Sequence, residues 1–153
     1  MSPSPTPGHQ DVNCEILGYL RQFVKLPGLG RVFAEPTDVE LSPGNIVKPD
    51  VFVILKTHLE RITSARIVGA PDLVVEILSP GTMRHDLHAK FDAYVQAEVP
   101  EYWIVNPAER VVELLVLERG VYRSLGVFQG EAVLSSQIVP DWSVRTEQLF
   151  AYL

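Results

Sequence analysis

The chain has 153 residues, 46% of them hydrophobic and 21% charged, with a formal net charge of −6 and a pI near 5.2. That length favours one domain with a real core. The acidic balance excludes a protein that coats nucleic acid by charge alone, because phosphate neutralisation drives non-specific affinity, but it leaves room for a nuclease whose acids meet phosphate through a cation.

In chain order, the proline-rich opening "SPSPTPG" reads as a flexible segment over residues 1–8, ahead of a single domain over 9–153. It lacks the basic and apolar regions of a signal peptide, and no apolar run approaches the roughly 18 residues of a membrane span. The expectation is an intracellular, cytoplasmic protein. From His9 to Leu26 the apolar positions Val12, Ile16, Leu20, Phe23 and Val24 recur at helical steps, and "LPGLG" stops the helix. Cys14, the single cysteine, rules out an intrachain disulfide and reads as a small buried residue of that helix.

"RVFAEPTDVEL" and "NIVKPDVFVIL", joined by "SPG", read as neighbouring antiparallel strands. "KTHLERITSARIVGA" is a polar connector with room for a helical turn, and the strand "PDLVVEIL" follows. Arg84 to Glu98 returns to a helical pattern, with Leu87, Phe91, Tyr94 and Val95 on one face and Pro100 beyond its end. "EYWIVN" is an apolar strand, and "VVELLVLE" and "VYRSLGVFQ" form a hairpin around "RG". An extended tail and a short helix close the chain. The order predicts an α/β (α+β) fold, a central mixed sheet with an antiparallel start flanked by helices. A dinucleotide-binding fold would need alternating units and a glycine-rich first turn, which are missing.

The chemistry concentrates in three pieces. Asp50 opens "DVFVIL", Glu76 lies within "PDLVVEIL", and Lys90 lies on the helix that follows. Alternation puts Asp72, Val74, Glu76 and Leu78 on one face of their strand. At about 3.3 Å per residue, Asp72 and Glu76 are roughly 13 Å apart, too far to share an ion on a straight strand. Asp50 on the adjacent strand is then the partner for Glu76. Two carboxylates suit Mg²⁺ or Mn²⁺, which keep several waters, and a lysine can orient the attacking water in phosphodiester hydrolysis. Asp86, four residues before Lys90, shares its helical face and is either an ion-pair partner or a helix-start acid.

Each residue also has a plain structural reading. "PD" recurs at Asp50, Asp72 and Asp141 and is often only a turn, and a helix lysine is usually solvated. His85 and His88 are three apart but lack further zinc ligands nearby. Tyr102 and Trp103 can stack on bases but sit on a strand that reads as core. Ser79 and Thr82 suit capping of the following helix, and Arg84 stands where a phosphate contact is plausible.

The run "GAPDLVVEILSPGTMRHDLHAKFDAYVQAEVPEYWIVNPAERVVELL", with "VKPDVFVI" upstream and "PDWSVRTEQLF" downstream, closely resembles the Uma-two family of the PD-(D/E)XK restriction-endonuclease-like superfamily. The resemblance covers nearly the whole chain. It implies a restriction-endonuclease-like core and an Mg²⁺- or Mn²⁺-dependent endonuclease acting on DNA, with Asp50 and Glu76 as metal ligands. Two residues after Glu76, where the superfamily pattern has lysine, stands Leu78; Lys90 fits a lysine migrated to the next helix. Asp72, Asp86 and Arg84 are supporting candidates. The first helix can also supply an acid in this superfamily, and Glu15 is the one well inside it. The competing function is a non-catalytic interaction or regulatory protein that keeps the fold. A homodimer through exposed apolar strands such as "VVELLVLE" is compatible with both. The discriminator is whether Asp50, Glu76 and Lys90 converge.

Overall fold

The computed structural model describes residues 6–81 and 84–153, and the side chains of all of these except Arg84 and His85. The expected flexibility of the first residues therefore falls, over residues 1–5, outside the described residues. Helix α1 (Pro7–Leu20) starts two residues earlier than the apolar spacing indicates. Thr6 caps it, its side chain accepting the His9 N–H, and Pro7 supplies a preset φ in the first turn. The helical path continues through a π-helical turn, Arg21–Lys25, to Leu26.

The two predicted strands each break in two. The outer halves, β1 (Gly30–Ala34) and β4 (Val51–Leu55), pair antiparallel as expected. The inner halves, β2 (Val39–Ser42) and β3 (Asn45–Val47), form a separate hairpin whose turn uses Gly44 at φ 81°. Pro36 and Pro49 lie at the two breaks, where a residue without an N–H cannot continue a ladder. After a 3₁₀ turn (Lys56–Arg61), the short β5 (Ile67–Val68) joins β2 in parallel, completing a small three-stranded sheet.

β6 (Leu73–Ile77), α2 (Arg84–Gln96) and β7 (Glu101–Asn106) form a parallel crossover unit. β8 (Val111–Glu118) and β9 (Val121–Gln129) turn through Arg119 and Gly120, both at positive φ, the conformation a two-residue hairpin loop requires. The large sheet has six strands in the order β1-β4-β6-β7-β8-β9, antiparallel throughout except for β6 and β7. A closing 3₁₀ turn, Thr146–Phe150, ends the tail.

Both faces of the central strands are covered, which is why β6 is buried at every position. One face packs Val75, Ile77 and Trp103 against Val12, Ile16 and Leu20 of α1 and against Trp142 and Phe150 of the tail. The other packs Phe52, Val74 and Tyr102 against Tyr94 of α2 and the small sheet.

Two expectations are corrected. Cys14 is exposed: Val12, Asn13 and Ile16 set the buried side of α1, and position 14 falls on the opposite side. "VVELLVLE" is not an exposed surface either, since β8 lies between β7 and β9 and buries Val112, Leu114, Leu115 and Val116. The edge strands of the large sheet are β1 and β9. Tyr102 and Trp103 are fully buried, as a core role requires.

Candidate active site

The antiparallel register of β4 and β6 pairs Val51 with Val75, so one step further places Asp50 beside Glu76. Both carboxylates are buried, at 8% and 3% residue exposure. Asp50 Oδ2 accepts the Ile77 N–H at 2.7 Å, which locks its carboxylate against the residue following Glu76.

The crossover helix brings the third residue. Lys90 and Tyr94 are four apart on α2 and so share a face. Lys90 Nζ donates to Glu76 Oε2 at 2.6 Å, and Tyr94 Oη donates to Glu76 Oε1 at 2.8 Å. A small cleft beside them is lined by Glu76, Ile77, Leu78, Asp86, Leu87 and Lys90. Leu78, at the position expected of a lysine, is half-buried in this wall. Asp86 reaches the same wall from the first turn of α2.

Two members of the cluster were not anticipated. His9, from the first turn of α1, places Nε2 at 3.1 Å from the Ile77 carbonyl oxygen and 3.6 Å from Asp50 Oδ1. Its Nδ1 is buried without a hydrogen-bond partner among the described residues. Glu35 follows β1, and its N–H donates to the Asp50 carbonyl at 3.1 Å. The β1–β4 register makes Glu35, Asp50 and Glu76 successive positions across three neighbouring strands. The sequence did hold one signal for His9: it lies three residues before Val12, on the apolar stripe of its helix. Glu35 has no comparable signal, because only sheet pairing brings it to Asp50.

The charges act strongly on one another here. Burial pushes the Glu76 carboxyl up to about 7 against the pull of Lys90. Burial favours a neutral Lys90, but the charge and hydrogen bond of Glu76, together with the charges of Asp50 and Glu35, outweigh it and hold the ammonium above its ordinary range. Burial also raises Asp50, yet His9 and the Ile77 N–H overcome it and keep that carboxyl below its usual value. His9 is raised by Asp50. Glu35 is raised by burial and by the Asp50 charge beside it. Burial and the Glu76 charge hold Tyr94 in its neutral, donating form.

Other candidates lie elsewhere. Asp72 belongs to the far end of the strand, where it accepts the Leu55 N–H and pairs with His58 Nδ1, each at 2.8 Å. Glu15 is half-buried six residues beyond His9, about 9 Å along the helix, and is not among the groups that meet Asp50 or Glu76. His88 is exposed, while the side chains of Arg84 and His85, and the whole of Thr82, lie outside the described residues. Among the described residues, no group of three or more His, Cys, Asp or Glu side chains is arranged to hold a metal ion. No described helix is long and apolar enough to cross a membrane.

A sheet of this order, with acids at the junction of its two central antiparallel strands and a lysine on the crossover helix, defines a restriction-endonuclease-like core. The fold is similar to a crystal structure described as "a putative nuclease belonging to DUF820 from Anabaena variabilis", with a TM-score of 0.82 and 20% sequence identity, covering 99% of this chain and 84% of that one. Residues 1–147 match the model of the Uma2 family, described as "Putative restriction endonuclease", and the chain belongs to that family. No match was found among curated proteins.

Proposed function

We propose that this protein is an Mg²⁺- or Mn²⁺-dependent endonuclease that hydrolyses phosphodiester bonds of DNA. The observation that carries the reading is the 2.6 Å contact between Lys90 Nζ and Glu76 Oε2, made next to the buried Asp50 carboxylate. An interaction protein retaining the fold has no need of that convergence.

The donor chemistry fits a hard divalent ion. Asp50 keeps Oδ1 clear of the backbone N–H that occupies Oδ2, and each Glu76 oxygen retains a lone pair beyond its one hydrogen bond. Mg²⁺ is commonly held by one or two carboxylates plus waters, so two acids suffice without a three-residue cage. When bound, the ion would supply charge neutralisation at the phosphate and a more acidic water.

The chain's own groups divide the remaining work. Asp50 and Glu76 are the ligands. Lys90, partly exposed beside the cleft, orients the attacking water and stabilises negative charge on the phosphate. Tyr94 fixes the Glu76 rotamer from the buried side.

The test is cleavage of single- and double-stranded DNA with Mg²⁺ or Mn²⁺ by wild type, Glu76→Ala and Lys90→Ala. Metal-dependent cutting lost in both variants is the expected result. Cutting that survives both would place the activity in another site or a contaminant, and an inactive wild type would favour the interaction protein.

A further inference from the structure

Resting on the nuclease reading above, we infer that a cavity beside the cleft is a nucleobase subsite, which takes one unstacked base of the DNA strand from a nucleotide flanking the scissile phosphate. The substrate this assigns is single-stranded DNA, or a strand with a base swung out of its duplex.

The cavity has a volume of about 490 Å³, and pockets of roughly 300–1,000 Å³ take small organic ligands. It lies at the carboxyl ends of the two parallel strands, where Leu78 follows β6 and Asn106 ends β7. Around a crossover helix, that end of the sheet is where ligands find a crevice. The walls come from two segments: Leu78, Pro80 and Leu87 belong to the crossover, and Pro107 and Ala108 to the turn after β7. These side chains are apolar, which suits the faces of a base and not a phosphate.

Two relationships tie the cavity to the chemistry. Leu78 and Leu87 line both the cavity and the cleft that holds Glu76 and Lys90. His9 also lines the cavity, and its Nε2 lies 3.6 Å from Asp50 Oδ1. Leu78 is two residues beyond Glu76, about 7 Å along an extended chain, which is the reach of one nucleotide. A base in the cavity therefore brings its adjoining phosphate to the acids and Lys90.

The wall also offers a donor for the base edge. Asn106 Oδ1 accepts the Glu109 N–H at 3.2 Å, which leaves the amide N–H₂ as the end with no hydrogen bond among the described residues. Ring nitrogens and carbonyl oxygens that accept such a bond occur on every base. Charge gives a reason for the subsite. With a net charge of −6, the chain gains little from phosphate contacts alone. Taking up a base supplies affinity that charge does not, and tolerates any sequence. A paired and stacked base cannot enter, so a duplex must first give one up.

The experiment begins by mapping the cut on a single-stranded oligonucleotide with Mn²⁺. The nucleotide on each side of the cut is then replaced, one at a time, by an abasic tetrahydrofuran residue. kcat/KM is measured for wild type and for Ala108→Phe, which narrows the cavity from an exposed turn position. The expected result is a loss of at least tenfold for the abasic residue on one side only, a similar loss for Ala108→Phe on the intact strand, and no further loss when the two are combined. Unchanged cutting of both abasic strands, or losses that multiply, would overturn the inference. A second readout needs no cutting and no metal chemistry. With Ca²⁺ in place of Mn²⁺, the fluorescence of 2-aminopurine in a bound strand should rise as the base leaves its stack, and should not rise with Ala108→Phe. If wild type cuts no DNA, the nuclease reading falls and this fluorescence decides the cavity by itself. A rise lost in Ala108→Phe keeps it as a base site, and no rise removes it.

Discussion

Lys90 Nζ lies 2.6 Å from Glu76 Oε2 although fourteen residues separate them in the chain, while Leu78, two residues from Glu76, lines the same cleft with an apolar side chain. The cation is thus delivered by the crossover helix rather than by the strand. Replacing Lys90 with Met should reduce DNA cleavage by about 10² to 10³, the range for losing one group that stabilises charge developing at the reacting centre. Mn²⁺ affinity should change far less. Because alternation places position 78 on the Glu76 face, Leu78→Lys in the Lys90→Met background should restore part of the rate. Single-turnover cleavage of the two variants checks both statements, and an active Lys90→Met would remove the lysine from the chemistry.

The Glu76 carboxyl makes the site costly to fold at neutral pH. Its value rises from the ordinary 4.5 to about 7, with burial as the largest cause. Between those values the folded chain keeps a proton that the unfolded chain releases, so stability falls as pH rises through this window and the full penalty is present above 7. Glu76→Gln removes the charge and keeps the shape. It should therefore stabilise the chelator-treated protein by about 1–3 kcal/mol at pH 8, with the gain shrinking towards pH 5. Urea denaturation at both values measures this. A variant less stable than wild type at pH 8 would mean that Lys90 outweighs burial.

What the sequence made legible was local. The run from Asp72 to Asn106 contains a strand, a crossover helix and a second strand, and its alternation and helical spacing put Glu76 and Lys90 on adjoining elements; that the two side chains meet depends on how α2 packs on the sheet. Asp50 followed because one antiparallel pairing placed it. His9 and Glu35 were not legible as site residues, since their roles depend on how α1 packs across the sheet and where β1 pairs. Cys14 shows the opposite error: the phase set by Val12 and Ile16 already pointed it outward, and the average habit of its residue type misled.

Asp72 tests whether proximity in sequence carries a functional role. It accepts the Leu55 N–H and pairs with His58 at the opposite end of β6 from the Lys90 contact. Asp72→Ala leaves that backbone N–H without its acceptor and should cost about 1–3 kcal/mol. Cleavage measured well below the melting temperature should stay within about twofold of wild type, as a change in stability alone leaves the assembled site intact. A drop comparable to that of Lys90→Met would give Asp72 a direct part in supporting Glu76.

Glu101 is the buried acid whose partners identify it as structural. It opens β7 at 1% exposure. It accepts from Trp103 Nε1 at 2.8 Å, the Gln137 N–H at 2.8 Å, the Ile138 N–H at 3.3 Å and the Ser136 hydroxyl. Those donors tie the tail to the face of the sheet where Trp103 meets Trp142 edge-on and α1 packs. Glu101→Ala would strand several buried donors at once and should cost about 3–5 kcal/mol. Glu101→Gln, which keeps an acceptor oxygen, should cost distinctly less. Hydrogen exchange should show the loss first in the segment around residues 136–139, since the N–H groups of Gln137 and Ile138 bond directly to this carboxylate. If the alanine variant were as stable as wild type, Trp103 and the tail would be held by apolar packing alone, and the carboxylate would be open to another role.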